Sequence, residues 1–175
     1  TIQVVSMRWK WLFIYPEQRI ATVNFVQIPV DTPVRFEMTA DEAPMSSFWI
    51  PNLSGMLYAM TGHSNQLNIL ADTTGDYPGR SGEINGAGFA GMQFTARAST
   101  DADFGKWVNE VRAFGNVLDA AEYERLLKPS EANPATFYSS TEGDLYGTIL
   151  MKYMGAGDHN HGKAKNEAEH GAHHE

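Results

Sequence analysis

The chain has 175 residues, a formal charge of −8 at pH 7 and no cysteine. This length predicts one domain, or one domain with an appendage, and it is enough to bury a hydrophobic core. The negative charge argues against a nucleic-acid partner, and the lack of cysteine excludes disulfides, cysteine nucleophiles and thiolate metal sites.

The first 98 residues have the pattern of an all-β domain. Short runs of β-branched and aromatic residues, several of them alternating with polar residues, are separated by turn residues at fairly even spacing. The predicted strands lie within residues 2–5, 8–15, 22–28, 34–38, 67–70 and 92–96. Such a series of short strands predicts a β-sandwich or barrel.

The hydrophobic period then changes to that of helices. Thr100 and Asp103 resemble a capping box, and Gly115 is a plausible helix stop. Between them, four apolar residues recur at helical spacing: Phe104, Trp107, Val108 and Val111. We therefore expect a helix that packs this apolar side against the β domain.

Two shorter helices are predicted after this one. The first runs from Ala120 to Leu127, with Asp119 as its cap and Pro129 after its end. The second runs over about 144–154, and Gly155 follows it.

Residues 155–175 are of low complexity and contain five histidines, His159, His161, His170, His173 and His174. They show no apolar periodicity, so we predict a disordered tail that cannot bury enough surface to offset the entropy of ordering. The predicted organisation is therefore a β domain over 1–99, a helical extension over 100–154 and a tail over 155–175.

The sequence shows no membrane span or targeting segment, yet it begins abruptly. No stretch reaches the roughly 18 apolar residues of a membrane span, and no signal peptide is visible. The chain nevertheless opens directly in strand-like sequence, Thr1-Ile2-Gln3-Val4-Val5. We expect from this that it is the excised soluble domain of a longer protein.

One glycine-rich segment, residues 79–92, carries most of the functional information. It reads G-R-S-G-E-I-N-G-A-G-F-A-G-M. Without a gap, it resembles the dinuclear copper loop of subunit II of haem–copper respiratory oxidases, G-x-C-x-E-x-C-G-x-x-H-x-x-M. Glu83 and Met92 match that motif, but Ser81 and Asn85 stand at the cysteine positions and Phe89 at the histidine. A copper pair needs soft and borderline ligands, which a hydroxyl, an amide and a phenyl ring cannot supply.

Two further segments share the resemblance. Trp9-Lys10-Trp11 is similar to the W-x-W aromatic strand of oxidase subunit II. The segment S-S-F-W-I-P at residues 46–51 is similar to the family's H-S-[WF]-x-[VI]-P, with Ser46 at the position of the first copper histidine. Every cysteine and histidine position that the motifs identify is thus lost. The vestigial copper positions are Ser46, Ser81, Glu83, Asn85, Phe89 and Met92.

Loss of this copper is typical of the bo-type quinol oxidases, which also carry an aromatic-rich helical extension after the β domain. Residues 104–108, 127–131 and 137–139 resemble that extension, so the resemblance covers residues 1 to about 154. It implies a cupredoxin-like Greek-key β-barrel or sandwich, followed by a small α-helical extension, that faces the periplasm. It also implies upstream membrane helices, and a subunit I that binds the haems, the catalytic copper and ubiquinol.

The resemblance implies a structural role for this chain within a complex that oxidises ubiquinol, reduces oxygen to water and pumps protons. No cofactor or metal is expected on the chain itself. Glu83 is expected to satisfy backbone donors in the loop, and Met92 to fill the core. Trp9 and Trp11 are expected to pack on one side, because alternate residues of a strand share a face. His63, the only histidine before the tail, is expected in a loop or at the surface.

The same residues can be compared with the patterns of other functions. The glycines of 79–92 lack the Lys-Ser/Thr and the βαβ context of a phosphate-binding loop. An acidic surface could attract cationic cytochrome c, but residues 1–100 hold eight acidic and six basic side chains, so the β domain is nearly neutral. The runner-up function is a copper-binding electron-transfer domain with altered ligands. A third is a metal-binding module that uses the histidine tail.

Overall fold

The structure, a computed structural model, describes residues 1–43, 45–53, 55–81, 92–130 and 133–153. In chain order the strands and the first two helices are β1 (Ile2–Met7), β2 (Lys10–Tyr15), β3 (Ile20–Val23), β4 (Phe25–Pro29), β5 (Val34–Ala40), β6 (Ser46–Trp49), β7 (Leu57–Ala59), β8 (Asn65–Ile69), β9 (Gly75–Ser81), β10 (Gln93–Ser99), α1 (Asp101–Arg112), β11 (Val117–Leu118), α2 (Ala120–Leu127), β12 (Thr136–Tyr138) and β13 (Ser140–Thr141). A third helix, α3, occupies residues 145–153.

Two mixed sheets form the body of the fold. The first has the strand order β12-β3-β2-β1-β5-β8, and the second has the order β4-β10-β9-β6-β7. Most neighbours are antiparallel, but β1 pairs with β5, and β10 with β4, in parallel. The short strands β11 and β13 form a separate pair.

Both faces of the first sheet are buried, because its strands supply two cores. Val4 and Phe13 point into a core shared with Phe48 and Phe94 of the second sheet. The alternate residues of β1 and β2 point the opposite way and pack against the extension, contacting α2, α3 and β12. This explains why all six residues of β2 are buried: the sheet is the middle layer of three.

The helices begin where the sequence predicts. Thr100 caps α1 by accepting a hydrogen bond from the backbone N–H of Asp103 at 3.2 Å, and Asp119 caps α2 through Glu122 at 2.8 Å. Each cap satisfies an amide that has no partner within the helix. Helix α1 ends at Arg112, three residues before Gly115, whose φ is +76°.

The predicted packing of α1 is confirmed. Val108 and Val111 are buried in the core between the sheets, and Phe104 and Trp107 pack against its edge. The Trp107 ring lies 5.6 Å from that of Tyr15 and 5.8 Å from that of Phe25. The helix therefore closes one side of the gap between the two sheets.

The prediction of one strand over residues 22–28 is wrong. The chain changes sheets at Asn24, which separates β3 from β4 and has φ +57°. The Asn24 side-chain oxygen accepts a hydrogen bond from the Trp11 backbone N–H at 2.8 Å. The backbone N–H of Asn24 donates to the Trp11 carbonyl at 2.9 Å. These long-range bonds stabilise a left-handed conformation that asparagine tolerates better than most residues.

Other parts of the predicted strand pattern also differ from the structure. The aromatic strand begins at Lys10 rather than at residue 8, because residues 8 and 9 form the turn after β1. Strand β9, which includes Gly79 and Pro78, was not predicted, since both residues are poor strand formers. None of the helices in the described ranges has the length and apolarity required to cross a membrane.

Candidate functional site

Three of the six vestigial copper positions lie within the described residues, and all three are buried. Ser46 opens β6, Ser81 ends β9, and Met92 immediately precedes β10; their exposed fractions are 0%, 2% and 0%. The predictions for Glu83, Asn85 and Phe89 fall outside the described residues. The site positions therefore lie at one end of three adjacent inner strands of the second sheet, β10, β9 and β6.

The strand register sets these side chains on one face. In the antiparallel pair of β6 and β9, Phe48 lies opposite Ser81. Ser46 precedes Phe48 by two residues, so Ser46, Phe48 and Ser81 point to the same side of the sheet, which is the side of the core. Ser46 and Ser81 are thus diagonal neighbours, at about 7–8 Å between Cα atoms for such pairs.

Aromatic rings fill the space beneath these two serines. The ring of Phe48 stacks on that of Phe94 at 5.1 Å, with 15° between the planes. The Trp11 indole meets both rings edge to face, at 5.4 and 6.0 Å, and its Nε1 donates to the carbonyl of Met92 at 3.2 Å. The packing of Trp9 and Trp11 against the same core is confirmed.

Gly79, the first residue of the loop motif, is required by this aromatic packing. It lies opposite Phe94 in the ladder, and a Cβ at this position would approach the Phe94 ring to 2.1 Å. A side chain on residue 79 and the present position of Phe94 are therefore incompatible. The glycine keeps the Phe94 ring flat over β9 and against Phe48.

The chemistry of these positions does not suit a copper pair. Serine hydroxyls are hard, neutral oxygen donors, and Met92 is a single thioether. Within the described ranges, no three His, Asp or Glu side chains gather closely enough to hold a metal. What the arrangement can do is pack: hydroxyls and rings occupy the inner side of the sheet where metal ligands would have to stand.

The centre of the W-x-W segment has a role that sequence reasoning missed. Lys10 is only 2% exposed, and its ammonium donates to the carbonyl oxygens of Leu126 and Lys128 (3.0 Å for the latter). These carbonyls terminate α2, where a helix leaves acceptors unpaired and favours a cation. Burial lowers the pKa of Lys10, and the nearby charge of Arg125 lowers it further.

Backbone hydrogen bonds join the extension to the turn between β1 and β2, residues 8 and 9. The Trp9 N–H donates to the carbonyl of Ser130 at 3.1 Å, and the Ser130 N–H donates to the carbonyl of Arg8 at 3.2 Å. Asn133 continues the contact by accepting from the Asn24 amide at 3.0 Å through its carbonyl. The turn between β1 and β2 is thus held by the segment that follows α2.

A buried carboxylate forms a second junction with the extension. The Asp41 side chain is fully buried and accepts from the Tyr153 hydroxyl at 2.6 Å, from the Lys152 ammonium at 3.0 Å and from the Tyr123 hydroxyl. Burial, and then the hydrogen bond to Asp41, raises the pKa of both tyrosines. Burial alone would lower the pKa of Lys152, but the hydrogen bond and charge of Asp41, together with Tyr153 and Glu42, raise it.

His63 lies in a loop and is exposed, which confirms its predicted place. The histidines of the predicted tail fall outside the described residues. A third junction, also missed from sequence, involves Tyr146 of α3, whose hydroxyl lies 2.7 Å from that of Ser64.

Comparison with known families agrees with this geometry. The family described as cytochrome c oxidase subunit II, periplasmic domain, matches residues 16–99, and the family described as the COX aromatic rich motif matches residues 112–157. The chain belongs to the oxidase subunit II family. The second match covers the segment that supplies β11, α2, β12 and α3 to the core between the first sheet and the extension.

Curated members of the oxidase subunit II family resemble most of this chain. Cytochrome bo(3) ubiquinol oxidase subunit 2 of Pseudomonas putida is 51% identical over 154 residues, which are 88% of this chain and 49% of that protein. Quinol oxidase subunit 2 of Bacillus cereus is 43% identical over 138 residues, 79% of this chain and 47% of that protein. The chain thus spans about half the length of the curated relatives it matches.

A solved structure supports the fold. The periplasmic domain of subunit II of cytochrome oxidase from Bradyrhizobium japonicum superposes with a TM-score of 0.59 at 22% identity, over 62% of this chain and 90% of that one. The predicted class, a mainly β, cupredoxin-like fold with a small helical extension, is confirmed.

Proposed function

We propose that this chain is the periplasmic part of subunit II of a bo-type ubiquinol oxidase, and that its own role is structural. Relatives from Pseudomonas putida and Pseudomonas aeruginosa, 51% and 47% identical to this chain, are cytochrome bo(3) ubiquinol oxidase subunits 2. The complex would oxidise ubiquinol, reduce oxygen to water and pump protons. This chain would take part in that catalysis only as a component of the complex.

The observation that carries the proposal is the chemistry of the vestigial copper positions. Ser46 and Ser81 are buried hydroxyls on the core side of the sheet, and the chain has no cysteine at all. A thiolate-bridged copper pair therefore lacks its bridging ligands here. An enzyme that takes electrons from a quinol within the membrane needs no copper port for a soluble donor. This favours the structural role over the alternative of a copper-binding electron-transfer domain.

The partners and location follow from the same proposal. Subunit I would carry the haems, the catalytic copper and the ubiquinol site, and membrane helices of subunit II would anchor this domain to the bacterial inner membrane. The domain would face the periplasm, cover subunit I and support assembly. No cytochrome c would dock, which suits the near balance of acidic and basic residues in positions 1–100.

We propose different roles for two parts of the chain, the β domain of residues 1–99 and the helical extension of residues 100–154. Lys10 and Asp41 of the β domain each bind groups of the extension from buried positions. The extension would therefore stabilise the barrel in place of the copper centre that this branch has lost.

A copper titration of the purified chain tests the proposal. We expect a variant that lacks residues 155–175 to bind no stoichiometric copper and to show no intense visible band. The full chain serves as the matched control, because any copper that it alone binds belongs to the histidine tail. Tight copper with strong visible absorption in the truncated chain would instead support the electron-transfer alternative.

Restoring the ligands is the complementary test. The variant Ser46→His/Ser81→Cys/Asn85→Cys/Phe89→His should gain a coloured copper pair if the backbone has kept its geometry. The matched control keeps Asn85 and changes the other three positions, which leaves one bridging thiolate missing. A folded, colourless product from all four changes would show that the ligand positions have moved apart.

A further inference from the structure

Of the seven methionines in the described ranges, three are buried, three are exposed and Met60 is half-buried. Three are at most 1% exposed: Met7, Met38 and Met92. Three others are among the large hydrophobic side chains most open to solvent, with 47%, 43% and 68% of their surface exposed: Met45, Met56 and Met151. Because a thioether reacts with oxidants only where they can reach it, these two groups should differ in chemistry.

Two of the exposed thioethers lie at the hairpin of β6 and β7, beside a vestigial copper position. Met45 immediately precedes Ser46, and Met56 immediately precedes β7. Phe48 pairs with Leu57, so the antiparallel register, continued by one residue, sets Met56 opposite Trp49.

The pleat of the hairpin places Met45 and Met56 on its outer side. Ser46 and Ala59 are paired and fully buried on the core side, so the residues that alternate with them point to the opposite side, where Ser47 is itself covered and Met45 and Met56 are exposed. Tyr58, on the outer side, is 36% exposed. The outer face of the hairpin therefore carries Met45 at one end, the buried Ser47 opposite Tyr58 in the middle, and Met56 opposite Trp49 at the other end.

We propose that Met45 and Met56, at opposite ends of this hairpin face, are each a site of reversible oxidation by hydrogen peroxide. Each thioether sulfur attacks one peroxide oxygen, so that an S–O bond forms and the O–O bond breaks. The sulfur loses two electrons and becomes a sulfoxide, and the other oxygen leaves as water after proton transfer. The product is polar and is a substrate for methionine sulfoxide reductases.

Oxidation would change the character of this face without disturbing the core. A sulfoxide replaces an apolar thioether with a strong dipole at each of these two exposed positions. Because neither side chain supports the buried clusters, the fold should tolerate the change. The hairpin face would thereby respond to oxidants while the buried thioether of Met92 stays reduced.

The test is a hydrogen peroxide time course on the intact chain, followed by mass spectrometry of its peptides. We expect Met45 and Met56 to gain one oxygen each at rates at least about tenfold above those of Met7, Met38 and Met92, since accessibility governs this reaction. Treatment with methionine sulfoxide reductases should remove both oxygens, and the melting temperature should be unchanged throughout.

Two controls make the outcome decisive. The double variant Met45→Leu/Met56→Leu should lose two fast additions and retain the one at Met151. In denaturing urea the described methionines of the native chain should react at similar rates, which would show that the fold creates the difference. Slow oxidation of Met45 and Met56 in the folded chain, at the rate of Met92, would overturn the proposal, as would unfolding on their oxidation.

Discussion

The substitution Asp41→Asn should destabilise the protein by removing the charge at the junction between β5 and the extension. Asp41 lies just after β5 and is 1% exposed. Its carboxylate accepts hydrogen bonds from Tyr123, Lys152 and Tyr153. Asparagine has nearly the same shape, but it carries no charge and brings an NH2 group towards groups that themselves donate.

The magnitude follows from the burial of each partner. A hydrogen bond to a charged group contributes about 1.5–3 kcal/mol, and two tyrosine hydroxyls make such bonds here from partly or fully buried positions. The Lys152 side chain is 44% exposed, so solvent screening limits its ion pair to about 0–1 kcal/mol. Since the bonds are not additive, we expect a loss of about 3–5 kcal/mol, as for removing one partner of a buried charge pair.

Urea unfolding gives the free energy of unfolding, and amide hydrogen exchange locates the change. Exchange should accelerate first in α3, residues 145–153, because Lys152 and Tyr153 lie at its end. The matched control is Glu42→Gln at the neighbouring, exposed position, whose solvent-screened ion pair with Lys152 at 3.6 Å should contribute less than about 1 kcal/mol. A loss below about 1 kcal/mol for Asp41→Asn, with unchanged exchange in α3, would refute the reasoning.

Three further substitutions probe other parts of the fold. Gly79→Ala should lower the melting temperature and displace the Phe94 ring, which NMR of the aromatic protons would detect, because the new Cβ cannot coexist with that ring; unchanged ring shifts would contradict this. Trp107→Ala should cost about 3 kcal/mol in urea unfolding, the lower end for large aromatics because the ring is only partly buried; an unchanged midpoint would exclude its packing role. The Arg125 hydrogen bond holds the pKa of Glu122 below its ordinary value. The stability that ionised Glu122 contributes is therefore fully present at a pH above the ordinary pKa. This contribution is lost as the pH falls through the lowered pKa. The native chain should therefore be more stable than Glu122→Gln at neutral pH, and urea unfolding across the acidic range should show the difference closing; a constant difference would rule out titration of Glu122 as its cause.

The sequence determined those features that depend on neighbouring residues. Thr100 and Asp119 lie three residues before the amides they bind, so the helix starts could be read directly. The residue types at 79–92 likewise show that copper ligands are missing, because ligand chemistry is a property of the side chain itself. The cupredoxin-like class and the oxidase family followed from such local patterns and motifs.

Only the tertiary structure decided which distant groups meet. Asn24 interrupts a run that alternates like a strand, because its bonds to Trp11 become available once β2 is in place. Lys10 looks like an exposed strand residue until the end of α2, more than 110 positions later, covers it. Asp41 and Lys152 are likewise 111 residues apart. Local propensity acts within one turn of helix or one strand, whereas burial and charge pairing depend on contacts that exist only in the folded chain.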